Sequence, residues 1–346
     1  MVSWDISRGY SGRDYNSIIN AFNNSSNIKE NLDTAFHYTS FENCIKMLKK
    51  SNENNYLELF ASHFNYMNDT KEFFEGLSSI ICLLEKDNFS DTKIKKTVNE
   101  FIRYFKDYDK IPYSSIPPHY IISFNTSCNN LAQWKYYGKN CGVSIEYDLK
   151  NCIYSNNSIE DDLYSEHKSF YVIYDHNKQM EEIKLLLSDL HSLEQSQDEL
   201  NKEIHAQDIL LRACAAASYM KNKHYSEEKE IRLLFAPYYS DSSEESSEVN
   251  LNKLIRKIEY RPRGDEYIIP YMKIRLKHKN DNYPIKSLTV GPGQNQNTIY
   301  NSLIMFIQSN FCIGNSIIKE LPNEDDCLCL SVNGIKVKKS LIPFRG

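Results

Sequence analysis

The stretch AFHYTSFENCIKMLKK, residues 35–50, joins a strand pattern directly to a helix pattern. Its first six residues alternate, so Phe36 and Tyr38 share one strand face while His37 and Thr39 share the other. Its second part carries apolar residues at helical spacing, which predicts one buried helix face. A strand that leads straight into an amphipathic helix predicts a fold of mixed helix and strand content.

The start of this helix and the position of His37 depend on the same few residues. Thr39 and Glu42 match a capping box, and Ser40 is the competing cap. His37 therefore lies at the carboxyl end of a strand, where binding sites tend to open. The alternative is a hydrogen-bonded structural histidine beside a helix start.

Composition indicates a globular protein of 346 residues, with 41% hydrophobic and 25% charged residues. We expect one domain over residues 1–346, since no linker rich in Pro, Gly or Ser divides the chain. The formal charge of -5 does not favour nucleic acid or anionic membrane globally, although a local basic patch is compatible with it.

The nine cysteines form no paired CxxC motifs, and the closest two are Cys327 and Cys329. An odd number fits a reducing compartment better than a disulfide framework, and we expect no metal site. No apolar run reaches the roughly 18 residues that span a bilayer, and the N-terminus lacks a signal-peptide pattern. We therefore expect a cytoplasmic location and no membrane partner.

Many further segments have strand character, which predicts a large sheet. They begin at or near Tyr56, His119, Cys141, Phe170, Glu230, Tyr267, Ile285, Leu328 and Ile335. Residues 178–222 differ, because two long helical patterns fill them, and we interpret them as a helical insertion. Its second helix is apolar through most of its circumference, so it is expected to pack within its own domain, or alternatively against a second copy.

The segment YSEEKEIRLLF, residues 225–235, carries the most informative polar pattern. As a strand it would place Glu228, Glu230 and Arg232 on one face, opposite an apolar face that includes Ile231 and Leu233. Buried charges must pair with each other, with water or with a ligand. The alternative is an edge strand with a solvated charged face.

Several weaker candidates have ordinary structural alternatives. Asn68 and Asp69 are potential site residues that also suit a cap or a turn. Ser123 lies at a strand end, and Trp134 with Tyr137 could form the core face of a short helix. The turn GPGQNQ, which begins at Gly291, could present backbone N–H groups to phosphate, but it lacks the Walker lysine and the full dinucleotide pattern.

The order of these segments resembles a bacterial family known as domain of unknown function 2971. The matching positions are His37, Tyr38, Thr39, Asn68, Asp69, Glu72, Ser123, Phe124, Trp134, Tyr137, Gly142, Glu228, Glu230, Arg232, Gly291, Ser340, Ile342, Pro343, Phe344 and Arg345. The family name implies no activity.

A second resemblance is to ADP-ribosyltransferases, in which a histidine on a first strand, a serine on a middle strand and a glutamate on a late strand follow in this order. It implies NAD as substrate in the cleft of a split sheet, with His37 on a ribose and an aromatic ring on nicotinamide. Glu230 would face the oxocarbenium-like ribose, Glu228 would act on the nucleophile, and Arg232 would clamp pyrophosphate or neutralise the carboxylates. The implied NAD-binding positions are His37, Tyr38, Thr39, Asn68, Asp69, Ser123, Trp134, Tyr137 and Arg232.

These resemblances imply an α+β fold with a mixed, largely antiparallel split sheet, flanking helices and the helical insertion. The expected function is an NAD-using ADP-ribosyltransferase-like enzyme, in a toxin or phage-defence setting, with a macromolecular acceptor that the sequence does not identify. The alternatives are a nucleotide- or nucleic-acid-binding sensor without catalysis, and a hydrolase of NAD or a nucleotide.

The C-terminal segment KSLIPFRG, residues 339–346, is too apolar for a free tail. We expect it to dock as a strand or extended arm and to place Arg345 near Asp69, Glu72 or Glu228. The alternative is apolar anchoring with Arg345 in solvent.

Overall fold

The computed structural model describes most of the chain in separate stretches. These are residues 32–54, 56–67, 71–106, 119–138, 141–156, 166–197, 201–236, 258–279, 283–311, 318–324, 327–332 and 334–343.

Thirteen strands occur in these stretches. They are β1 Ala35–Ser40, β2 Leu57–His63, β3 Tyr120–Asn125, β4 Gly142–Tyr147, β5 Cys152–Asn156, β6 Glu166–Tyr171, β7 Glu230–Ala236, β8 Glu259–Arg263, β9 Tyr267–His278, β10 Ile285–Val290, β11 Ile318–Glu324, β12 Cys327–Val332 and β13 Ile335–Ser340.

Seven α-helices occur in the same stretches. They are α1 Phe41–Asn54, α2 Lys71–Lys86, α3 Thr92–Lys106, α4 Leu131–Tyr137, α5 His176–Glu194, α6 Lys202–Ala216 and α7 Gln296–Asn310. Short 3-10 helices cover Phe64–Tyr66, Leu149–Asn151, Ala217–Tyr219 and Lys223–Glu228.

All thirteen strands join one sheet, whose longest path is β11-β12-β13-β10-β4-β1-β3-β2-β9-β5. β7 pairs with β3 and β6, and β8 pairs with β9. Only β10 and β13 pair in parallel among these strands. The sheet is therefore mixed and largely antiparallel, and with the helices it forms an α+β fold, as the sequence predicted.

The sheet opens into a split beside β3. One edge of β3 pairs with β7 along its whole length. On the other edge, β1 pairs only at Asn125, whereas β2 pairs only at Tyr120 and Ile121. Because β1 and β2 meet opposite ends of β3, the backbone of β3 around Ser123 faces a gap between them.

Helices cover both faces of the sheet. On the first face, α2, α3, α5 and α6 bury a core that includes Ile121 of β3 and Leu234 of β7. On the second face, α1 and α7 cover a core that includes Ile122 and Leu233. Because strand residues alternate, Ser123, Glu230 and Arg232 point to the first face.

The helical stretch predicted at 178–222 is observed as α5, α6 and the 3-10 helix Ala217–Tyr219. The apolar α6 packs against α3 and α5 in the first core, as expected for a helix buried within its own chain. At the first helix, the Asn43 N–H donates to Ser40 Oγ at 3.3 Å. Ser40 is therefore the cap, and the expected capping box of Thr39 and Glu42 is wrong.

No helix in the described stretches is long and apolar enough to cross a membrane.

Candidate functional site

The first-face side of β7 holds a closed ion pair. Arg232 Nε donates to Glu230 Oε1 at 2.9 Å, and Arg232 Nη2 donates to Glu230 Oε2 at 3.0 Å. Glu230 is 7% exposed and Arg232 is 4% exposed. Ile231 and Leu233 are buried on the opposite face, as the strand pattern predicted. Both oxygens of the Glu230 carboxylate are thus occupied by the guanidinium two residues away.

Two residues from other elements extend this pair into a buried charge cluster. Glu72 of α2 accepts from Arg232 Nη2 at 2.7 Å. Lys221 lies 2.7 Å from Glu72 Oε1 and 3.5 Å from Glu230 Oε2. Arg232 Nη1 also donates to the backbone carbonyl of Ser218. We call Glu72, Lys221, Glu228, Glu230 and Arg232 the charge cluster.

Glu228 joins the charge cluster from outside the strand. It ends the 3-10 helix Lys223–Glu228, and Lys229 follows with φ 46°, so β7 begins only at Glu230. The expectation that Glu228 lies on the strand is therefore wrong, because the left-handed residue interrupts the alternation. Its carboxylate still reaches Lys221 Nζ at 2.5 Å and remains partly exposed. Glu228 is thus the accessible carboxylate of the cluster.

The charge cluster has one negative charge in excess, since three carboxylates face two cations. Burial alone would raise the pKa of Glu230, but the charges of Arg232 and Lys221 outweigh it and hold that pKa at about 2. Burial raises the pKa of Glu228, and the pairing with Lys221 only partly offsets this. Of the carboxylates with a shifted pKa, Glu228 is thus the one whose proton affinity is increased.

The two cations of the cluster remain charged. Burial opposes their charged forms, but the carboxylates Glu230 and Glu72 raise the pKa values of both Lys221 and Arg232. The phenol oxygen of Tyr174 accepts the Glu230 N–H at 2.9 Å and ties this strand end to the chain before α5. Lys221 and Arg232 are therefore fixed positive charges inside the cluster.

His37 lies in the split rather than in the charge cluster. Phe36 lies opposite Asn125 in the β1–β3 ladder, and Asn125 lies opposite Glu230 in the β3–β7 ladder. These three side chains therefore start on the first face of the sheet. His37 is the next residue of β1, so its side chain leaves the backbone on the second face. Its ring centroid there lies 6.1 Å from that of Phe124. Among the described residues, no hydrogen bond or ion pair joins His37 to the cluster. Strand alternation starts the side chains of His37 and Glu230 on opposite faces of the sheet, and their contact with one bound NAD stays a prediction.

The environment of His37 favours its neutral form. Burial lowers the pKa of His37, a backbone hydrogen bond with Ser123 opposes this, and the charge of Arg261 lowers it further. The ring therefore fills part of the gap beside β3, where a neighbouring strand would otherwise pair.

Two buried polar side chains near β3 are incompletely hydrogen-bonded within the described stretches. Ser123 lies directly opposite Arg232 in the β3–β7 ladder. Its hydroxyl oxygen is buried and makes no hydrogen bond of normal geometry within the described parts of the chain, although it lies near enough to Glu230 to help lower the pKa of that carboxyl. Asn65, which follows β2, is also buried, and neither polar atom of its side-chain amide makes a hydrogen bond within the described parts of the chain. Such groups normally bond to protein or ordered water, so they are points where a ligand could contribute.

Tyr38 of β1 and Trp134 of α4 pack together in a separate apolar cluster. Their ring centroids are 4.5 Å apart. Tyr38 Oη donates to the Ser127 carbonyl and accepts from the Asn130 N–H, both at 2.7 Å. Trp134 is buried whereas Tyr137 is exposed. Thr39 is buried in β1. Tyr38 and Trp134 therefore pack with each other, and Asn130 beside them donates its side-chain amide to the carbonyl of Glu227, next to Glu228 of the charge cluster.

Gly291 has a packing role rather than an open amide. Its N–H donates to the Gly142 carbonyl at 2.9 Å. A Cβ at Gly291 would lie 2.6–2.9 Å from atoms of the Trp134 ring. The Gly291 amide is therefore not free to bind phosphate, and the chain approaches the indole closely there.

The C-terminal segment docks as predicted in its described part. β13 ends at Ser340, whose carbonyl accepts from Gln296 Nε2 at 2.9 Å, and Ile342 packs beside Tyr38 and Trp134. Arg345 lies outside the described residues, as do Asn68 and Asp69. Glu72, one of its expected partners, instead pairs with Arg232 and Lys221.

Sequence reasoning missed Lys221 completely. Nothing in its local sequence distinguishes it, since it follows a helix and precedes a short turn. Glu72 carried a signal, because it belongs to the acidic motif that resembles the family pattern. Its pairing with a residue 160 positions later becomes visible only after folding.

Among the described residues, no group of three or more His, Cys, Asp or Glu is arranged to hold a metal ion. Neither a search of curated proteins nor a search of solved structures found a match. Residues 133–233, which run from α4 into β7, match the model of a family described as a protein of unknown function (DUF2971). The match includes the charge-cluster residues Lys221, Glu228, Glu230 and Arg232. Over this segment the chain therefore matches the family that its motifs resemble.

Proposed function

We propose that the chain is an ADP-ribosyltransferase-like enzyme that uses NAD as its substrate. The observation that carries the proposal is the placement of the charge cluster beside the split, with β1, β3 and β7 as neighbouring strands. This arrangement puts Ser123 against Arg232 and leaves the Glu228 carboxylate partly open to solvent.

The excess negative charge suits the chemistry. When the bond between ribose C1′ and the nicotinamide nitrogen breaks, its electron pair leaves with nicotinamide and positive charge develops on the ribose. A fixed carboxylate stabilises that charge more in the transition state than in the ground state. We assign this role to Glu228, because the carboxylate of Glu230 is held by Arg232.

The raised pKa of Glu228 supports the assignment further. A carboxylate with increased proton affinity is a better acceptor for the proton of an incoming hydroxyl or amine nucleophile. Glu230 would then act as a positioning residue that holds Arg232 and Lys221. The Ser123 hydroxyl, which lies between Arg232 and the split, would then contact a ribose or phosphate oxygen.

A second candidate is a nucleotide-binding module without turnover. It is favoured by the closed Glu230–Arg232 pair and by the location of His37 on the other face of the sheet. In that function the cations of the cluster are structural and the ligand is bound but not cleaved.

The test uses the purified full chain with NAD labelled on its adenylate part, in the presence of cell lysate. Free nicotinamide and labelled protein, nucleic acid or small molecule are measured separately. Transfer predicts both products, hydrolysis predicts nicotinamide with free ADP-ribose, and binding alone predicts NAD retention without nicotinamide. Absence of both binding and cleavage refutes the NAD proposal.

The variants Glu228→Gln and Glu227→Gln make a matched pair. Glu227 is adjacent and exposed, so its change should leave nicotinamide release near that of the natural chain. The Glu228 change should reduce release by roughly 100-fold or more, as expected for the loss of a group that stabilises a charged transition state. Equal rates for the two variants would rule out the role assigned to Glu228.

A further inference from the structure

The first face of the sheet is open to solvent over β2, β8 and β9. In β2 and the second half of β9, the residues on this face alternate with residues that enter the second core. The register of β8 with β9 places Arg261 and Arg263 on the same face. Phe60 of β2 is 40% exposed and Tyr267 of β9 is 39% exposed. Large aromatic side chains therefore remain accessible on a regular sheet surface.

Three arginines lie over aromatic rings on this surface. Arg261 lies 5.6 Å from the ring centroid of Phe60 and 5.7 Å from that of Tyr271. Arg263 is 5.6 Å from the Tyr267 ring. Such contacts occur roughly once per 70–80 residues in proteins. Their concentration on three adjoining strands makes this surface unusual within the chain.

A fourth contact, made by the third arginine, extends the same surface along β9. Arg275 is 4.5 Å from the ring of Tyr56, which precedes β2. The alternation of residues places Tyr56 and Phe60 on one face. The cross-strand register aligns Glu58 of that face with Arg275. We call Tyr56, Phe60, Arg261, Arg263, Tyr267 and Arg275 the arginine–aromatic face.

The charges of this face are only partly compensated. Lys273 pairs with Glu259 at 2.6 Å. Arg261 donates to Ser62 Oγ at 3.0 Å, and its Nε is buried without a hydrogen bond within the described stretches. Within the same stretches, neither Arg261 nor Arg275 has a carboxylate partner within salt-bridge distance. The face is therefore locally basic in a chain whose formal charge is -5.

We propose that the arginine–aromatic face binds single-stranded nucleic acid. Guanidinium groups can contact the phosphates, and exposed rings can stack with bases, which is the combination that single-strand-binding surfaces use. Paired bases in a duplex are stacked on each other, so their faces are not accessible to Phe60 or Tyr267.

This surface shares the first face of the sheet with Glu230 and Ser123, but its binding does not require NAD. The test measures fluorescence anisotropy of a labelled 15-nucleotide single strand, without NAD, as the full chain is titrated. We expect saturable binding that is weaker at higher salt, and much weaker binding to the duplex of the same sequence.

The variant Phe60→Ala should weaken binding by about tenfold, which is within the effect of losing one stacked base. Its control is Tyr136→Ala, which removes an exposed aromatic residue from α4 and should leave the affinity unchanged. The variants Arg261→Gln and Arg275→Gln should each reduce the slope of log K against log salt by about 0.7. Their control is Arg103→Gln on α3.

Circular dichroism of each variant checks that the fold is retained. Absence of binding by the natural chain, or equal losses in Phe60→Ala and Tyr136→Ala, overturns the proposal. Equal affinity for duplex and single strand would also overturn it, because the rings would then have no role.

Discussion

Replacing Arg232 by methionine should destabilise the protein strongly. Arg232 holds Glu230 through two bonds of 2.9 and 3.0 Å and Glu72 through one of 2.7 Å. Methionine retains an apolar side chain of comparable length but removes the guanidinium. The charge cluster would then carry three carboxylates against Lys221 alone.

The magnitude follows from the cost of an uncompensated buried charge. Removal of one partner from a buried ion pair typically costs about 3–5 kcal/mol. The unfolding entropy is roughly 2.1 cal/mol/K per residue, so for 346 residues this loss corresponds to a Tm decrease of about 4–7 °C.

The pH dependence gives a second, independent readout. The pKa of Glu230 is depressed to about 2 from its usual 4.5. A depressed carboxyl pKa contributes stability above the unfolded value, here about 3 kcal/mol, and this contribution is lost as pH falls from 4.5 to 2. In Arg232→Met the pKa of Glu230 should be less depressed, so the protein should lose less stability between pH 4.5 and pH 2.

The assay is thermal and urea unfolding of the natural chain, Arg232→Met, Glu230→Gln and the variant that combines the two changes. The double variant restores the excess of one negative charge, so it should be less destabilised than the sum of the two single changes by about 1–3 kcal/mol. A loss below about 1 kcal/mol in Arg232→Met, or strict additivity, would refute the ion-pair reasoning.

Three further predictions follow from other contacts. Glu228→Gln should leave stability at pH 7 unchanged or slightly higher in urea unfolding, because burial raises the pKa of Glu228 and its ionisation is unfavourable there; a loss above about 2 kcal/mol would contradict this. Gly291→Ala should lower Tm and shift the fluorescence of Trp134, because a Cβ would overlap the indole; an unchanged spectrum and Tm would show that the loop moves freely. Burial lowers the pKa of His191, but hydrogen bonds with Asp87 and Glu194 raise it overall, so their stabilisation is present below pH 6.5 and lost as pH rises through the folded pKa. Asp87→Asn should reduce this pH dependence in Tm measurements between pH 5 and 9, and an identical profile would show that the contact is not coupled to folding.

Local patterns predicted most of the strands. β13 was expected from the alternation that begins at Ile335, and β7 from the alternation of Ile231 and Leu233. β5, β8 and β11 were not expected, because short or edge strands with Pro and charged residues lack a strong period of two. The 3-10 helix that ends at Glu228 was also missed, since a single left-handed residue changes the register without altering the apolar pattern.

The sequence by itself determined the α+β class, the alternation that pairs Glu230 with Arg232 on one strand face, and the apolar character of α6. These properties depend on residues close together in the chain, where period and propensity act directly. The tertiary structure alone decided that Glu72 and Lys221 complete the charge cluster, that His37 lies in the split, and that the arginine–aromatic face is open. Those facts depend on which strands become neighbours and which face each one turns to a helix layer, and distant parts of the chain set both through burial.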